Sequence, residues 1–129
     1  MGRRIILKGV DFSKNGIYEP IGVDIDGSVC TILSSGINAN TGELITSDTY
    51  KDWIASDFVD ISSYKFIFKI YSTKASSFGL AFYDADDKYI SGLVYTTLKN
   101  ETIKIPQKAK SIRFCAYKSS DSIRMKLMI

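Results

Sequence analysis

From Asn38 to Ile129 the chain is a succession of short runs in which apolar residues fall on every second position, each run ending at a cluster of turn-forming residues. Strand side chains alternate between two faces, so a period of two marks a half-buried strand; a helix needs apolar residues three and four apart. The clearest run is Tyr64 to Tyr71. Tyr64, Phe66, Phe68 and Ile70 fall on one face, and Lys65 and Lys69 mark the other as the polar, outward side. Asp57 to Ile61 alternates as a short strand. Phe78 to Tyr83 is nearly all apolar and suits a central strand, Asp84 to Asp87 is a turn, and Lys88 to Tyr95 is the returning strand. Thr102 to Ile105 alternates and stops at Pro106. Ser111 to Tyr117 puts Ile112, Phe114 and Ala116 on one face, and Ile123, Met125, Leu127 and Ile129 alternate to the end. Asn40 to Glu43 reads as a turn, and one short turn around Ser47 to Trp53 is the best helical candidate.

Residues 1–36 have a different texture. After the apolar run Ile5, Ile6 and Leu7, the chain is interrupted by Gly9, Gly16, Pro20, Gly22, Gly27 and Gly36, a spacing in which no helical period survives. Asp26-Gly27 between two apolar runs predicts a hairpin. The expected organisation is a single domain: an extended N-terminal arm and first strands over 1–36, and a β-sandwich core over 37–129. About nine or ten short strands at this turn spacing predict an all-β fold, an antiparallel β-sandwich.

Several function classes are disfavoured by residue content. The chain has no histidine, which removes the commonest general base and zinc ligand. Serines have no histidine to activate them, no Gly-x-Ser-x-Gly or phosphate-binding glycine loop occurs, and no carboxylate pair is marked out as a glycosidase dyad. The expectation is therefore not an enzyme, with no cofactor. Asp84, Asp86 and Asp87 form the densest acidic cluster, but a calcium loop needs a glycine and a closing glutamate that do not follow. A net charge of +3 is too small to argue for nucleic acid. Nothing approaches a membrane span, and the apolar run after Arg3 and Arg4 is too short for an export signal. Cys30 and Cys115 match no disulfide or metal spacing and read as free thiols. Lys65, Lys69, Lys104, Arg113, Arg124 and Lys126 all fall on polar strand sides and would make one sheet face basic, either a solvated face or a surface for an anionic partner.

Aromatic residues make up 12% of the chain and are the better lead to function. Sugars stack on exposed Trp and Tyr rings, which pair an apolar face with a hydrogen-bonding tip. Tyr50, Trp53, Tyr83, Tyr89, Tyr95 and Tyr117 are candidates for glycan contact, with Trp53, Tyr50 and Tyr95 foremost. Trp53 and Tyr95 are expected to be exposed, because each lies beside polar residues near a loop.

The stretches GELITSDTYKDWIASDFVDIS, GLAFYDADDKYISGL and TIKIPQKAKSIRFCAY together resemble jelly-roll surface modules. Such modules occur in extracellular proteins of gut bacteria and in the virions of crAss-like tailed bacteriophages. The likeness spans residues 36–129 and centres on the GLAFYD…YISG hairpin and the IP…AKSIRF strand pair. It implies a non-enzymatic jelly roll working at a surface. In the phage branch that is a virion structural protein, an auxiliary capsid or head-fibre subunit, made in the host cytoplasm. Its partners would be other virion proteins and further copies of itself, with Ile5, Ile6, Leu7 and Phe12 as apolar assembly anchors. In the bacterial branch it is a carbohydrate-binding module for bacterial surface or dietary polysaccharide.

Overall fold

The computed structural model describes residues 22–72, 78–95, 102–118 and 123–129. The assembly candidates Ile5, Ile6, Leu7 and Phe12, and with them the N-terminal arm, lie outside the described residues. Among the described residues twelve strands run in chain order: β1 Gly22–Asp26, β2 Cys30–Leu33, β3 Gly36–Ile37, β4 Leu44–Ile45, β5 Trp53–Ser56, β6 Val59–Asp60, β7 Phe66–Ser72, β8 Phe78–Tyr83, β9 Tyr89–Tyr95, β10 Thr102–Lys104, β11 Ser111–Tyr117 and β12 Ile123–Met128. No α-helix occurs among the described residues. Short 3-10 turns stand at Gly27–Val29 and Asp48–Tyr50, the second within the Ser47 to Trp53 stretch.

The fold is an antiparallel β-sandwich. One sheet has the order β1-β12-β7-β10; the other has the order β2-β5-β11-β8-β9, with β6 also pairing β11; β3 and β4 form a separate small hairpin. The pairings nest. β8 pairs β9, β7 pairs β10, β5 pairs β11 and β1 pairs β12, all antiparallel. The additional pairs β12–β7 and β11–β8 then join the nested pairs into sheets. Between the sheets lies one core, in which Ile25, Ile67, Met125 and Leu127 share a cluster with Leu80, Phe82, Ile112 and Phe114. Each such side chain contributes on the order of 1.5–3 kcal/mol when fully buried.

Most strand positions follow the alternation, but several expectations are corrected. The first is the phase of β7. Ile67 is 0% exposed and Phe66 36%, so Phe66 turns outward and Ile67 inward, while Tyr64, ahead of the strand, is buried in the core. The cause is register. Ile67 lies opposite Leu127 on β12 and Ile103 on β10, while Phe66 lies opposite Met128 and Lys104. Ile123, Met125 and Leu127 must share the core face, and a strand hydrogen-bonded beside them inherits their phase. The second is the hairpin at Asp26-Gly27. β1 belongs to one sheet and β2 to the other. The turn between them is held by the Asp26 carboxylate, which accepts from the Ser28 N–H at 2.8 Å, and it carries the chain across the sandwich.

Both faces of β11 are buried, unlike the one-sided strand expected. Ile112, Phe114 and Ala116 face the core, and Ser111 and Cys115 on the opposite side are buried as well. That second cover comes from the chain itself.

Candidate functional site

The covering element is the segment Ser34 to Ile45, which includes β3 and β4. It lies as a strap over the outward face of the larger sheet. That face is floored by small residues, and two glycines set how close the strap comes. A Cβ on Gly79 would collide with the carbonyl oxygen of Ile37, and one on Gly92 with that of Ala39. Two tyrosines fasten the strap. Tyr83 Oη donates to Gly42 O at 2.5 Å, and Tyr89 Oη donates to Ala39 O at 2.6 Å. Gly42 has φ +76°, a left-handed turn conformation that a side chain resists. Burial, the largest influence, pushes the Tyr83 phenol up to about 12, with Arg113 acting in the opposite sense.

Beside the strap an aromatic cluster closes one end of this sheet. Trp53 and Tyr117 lie opposite each other on β5 and β11, with ring centroids 5.6 Å apart edge to face, and the Tyr50 ring lies 6.0 Å from that of Trp53. Lys118 Nζ stands 5.7 Å from the Tyr117 ring centroid. Trp53, expected to be exposed, is 6% exposed. The strap begins at its backbone, where the Ser35 N–H donates to Trp53 O at 3.1 Å, and the flanking tyrosine rings cover the indole. The accessible rings of the group are the half-buried Tyr50 and Tyr117. Tyr95 closes β9 opposite Phe78 and is not part of this cluster's described contacts; its side chain lies outside the described residues. The cluster therefore unites three of the aromatic candidates, Trp53, Tyr50 and Tyr117, while Tyr83 and Tyr89 fasten the strap.

The expected basic face divides between sheets. Lys104, Arg124 and Lys126 belong to the smaller sheet, but Asp24 lies opposite Lys126 and Asp26 opposite Arg124 on β1. Arg113 is on the other sheet and partly buried. Its guanidinium sits 4.8 Å from the Phe58 ring centroid, and its Nε donates to Ser56 O at 3.1 Å. Alternation assigned these residues to polar strand sides; only strand order decides which of them are neighbours.

Asp84 uses its carboxylate locally, accepting from the N–H groups of Asp86 at 2.8 Å and Lys88 at 3.0 Å. Those two bonds, the first the one to Lys88, hold its carboxyl below the usual range. Such a turn is closed on itself, and no group of three or more His, Cys, Asp or Glu suited to a metal ion occurs among the described residues. Cys30 and Cys115 are free and buried, and burial pushes both thiols up. The hydroxyl of Ser111 is buried with no hydrogen-bond partner among the described residues.

The strap was not foreseen, although a signal for it exists. Gly79 and Gly92 lie inside strands, where glycine marks a close backbone approach. No family model, curated protein or solved structure matches this chain.

Proposed function

We propose that this chain is a non-enzymatic structural protein of a tailed-phage virion, a jelly-roll module that decorates the capsid or forms a head fibre. The observation that carries the reading is the nested strand pairing. A ribbon whose strands pair first with last and innermost with innermost, rolled until alternate strands join, is the jelly-roll plan, which recurs in viral capsid and lectin domains. The pairs β1–β12, β5–β11, β7–β10 and β8–β9 follow that order. β2, β3, β4 and β6 are additions to it, and the β3–β4 strap covers part of one sheet face.

In this reading the protein is made in the host cytoplasm and resides in the virion. Its partners are capsid or fibre subunits, and Ile5, Ile6, Leu7 and Phe12 supply apolar anchors to them. Quantitative mass spectrometry on purified particles, cell envelope and cytosol tests it. A fixed, high copy number in particles is the expected result; enrichment in the envelope with none in particles would end the virion reading. Deleting residues 2–12 should leave a folded domain that no longer joins particles.

The aromatic cluster favours a second reading, a carbohydrate-binding module for bacterial surface or dietary glycans. Tyr50 and Tyr117 each present part of a ring beside Lys51 and Lys118, a combination suited to stacking on a sugar and bonding its hydroxyls. Affinity electrophoresis against bacterial and plant polysaccharides, comparing the native chain with Tyr117→Ala, tests it. Retention lost in a variant that stays folded supports the site; unchanged retention places it elsewhere.

A further inference from the structure

The outward face of the β1-β12-β7-β10 sheet carries a charge layout with a direction. The register sets Gly22, Met128, Phe66 and Lys104 in one row across the four strands. The next outward row begins with Asp24 and Lys126, and the one after it with Asp26 and Arg124. Carboxylates thus occupy the β1 edge and a lysine the β10 edge, with Phe66 and Met128 between them in the first row and Lys126 and Arg124 beside the carboxylates in the next two. Phe66 is 36% exposed, and Asp24 and Lys104 are exposed.

We propose that this face pairs with the same face of a second copy of the chain, about a two-fold axis running along the strands. That axis lays β1 of one copy over β10 of the other, and β12 over β7. Phe66 then meets Met128 of the second copy, twice by symmetry. Asp24 comes within reach of the four-carbon stem of Lys104 from the other copy, also twice. The alternative axis, across the strands, lays β1 on β1 and sets Asp24 and Asp26 against their own counterparts, where like charges repel. Sheets stacked in this way sit about 10 Å apart, a gap that Phe and Met side chains fill.

The pair is weak. Four strands at ~4.8 Å spacing and five residues of ~3.3 Å project to on the order of 300 Å². A standard interface takes about 800 Å² from each partner, so this pair falls among small, transient contacts and its association is expected at high protein concentration. The inference does not rest on either functional reading, since a virion module and a glycan-binding module can pair alike.

Sedimentation velocity of the full chain over a ~100-fold concentration series reaching ~500 μM tests it. The expected result is a shift from monomer to dimer. Phe66→Lys should weaken association at least ~10-fold, and Lys104→Glu and Asp24→Lys each ~3–10-fold, with thermal unfolding confirming that each variant is folded. Combining Asp24→Lys with Lys104→Glu in one chain should recover association, because each reversed charge then meets its reversed partner. A monomer at every concentration overturns the proposal, as does a dimer indifferent to Phe66→Lys, or a charge swap that recovers nothing. One further result reassigns the face. If a monomeric Phe66→Cys chain reacts with a maleimide only after residues 2–12 are deleted, the chain's own N-terminal segment is the occupant.

Discussion

The hydroxyl of Tyr83 reaches across 41 residues of sequence to donate to the carbonyl oxygen of Gly42, and this bond pins the strap to the sheet beneath it. Tyr83 is itself buried, with its ring edge to face against Phe58 at 4.9 Å between centroids. The ring can only be placed there with its polar tip satisfied, and Gly42 provides the acceptor.

Tyr83→Phe keeps the ring and removes the donor. Stability should fall by about 1–2 kcal/mol in urea unfolding. Tyr89→Phe should cost the same or less, because that side chain is half-buried. The double variant should expose Ser34 to Ile45 to faster amide exchange than β8 or β11.

The same bond sets an alkaline limit. The Tyr83 phenol titrates near 10 when unfolded and at about 12 in the fold. Its neutral form is the one the fold holds, so its contribution is fully present below the unfolded value and is lost as pH rises from about 10 through about 12. Stability measured by chemical denaturation should decline over that window, and Tyr83→Phe should flatten the part of the decline that this group causes.

Gly79→Ala and Gly92→Ala push a methyl group against strap carbonyls, which are backbone and cannot rotate aside. Each should destabilise by roughly 2–4 kcal/mol, with Gly22→Ala a comparable case against the Leu127 carbonyl on β12. A melting temperature unchanged in Gly92→Ala would mean that the strap does not rest there in solution.

Trp53→Ala removes a buried indole and should cost about 3–5 kcal/mol. Loss of glycan retention in that variant would therefore report unfolding. Tyr117→Ala and Tyr50→Ala remove rings that are only half-buried, so calorimetric unfolding should show smaller losses.

Cys30 and Cys115 should resist alkylation in the folded chain. Burial disfavours both thiolates, and each thiol also sits against backbone carbonyls, Cys30 Sγ 3.7 Å from Phe114 O and Cys115 Sγ 3.7 Å from Gly79 O. Iodoacetamide labelling at mildly alkaline pH should track global opening and accelerate with added urea in step with loss of structure. Rapid labelling in buffer would show that the core opens locally around β2 or β11.

Local chemistry was enough to place most of the strands and the all-β class. Alternation in Ser111 to Tyr117 and Ile123 to Met128, and turn residues at Asn40 to Glu43 and Asp84 to Asp87, are properties of neighbours in sequence, and no distant contact is needed to read them. What alternation does not carry is which face is inward, because a period of two is the same seen from either side. The strand after Tyr64 shows this: the Phe66 and Ile67 positions were both visible, and pairing with β12 and β10 chose Ile67 for the core. The glycan candidates divide in the same way. Trp53 stands among polar residues in sequence, yet it is buried because the strap, the nearby Tyr50 and the distant Tyr117 on β11 close over it. Sequence by itself determined where this chain is extended and where it turns. Only the tertiary structure decided which side of each strand meets the core and what covers the outer faces, because burial depends on elements that arrive from far along the chain.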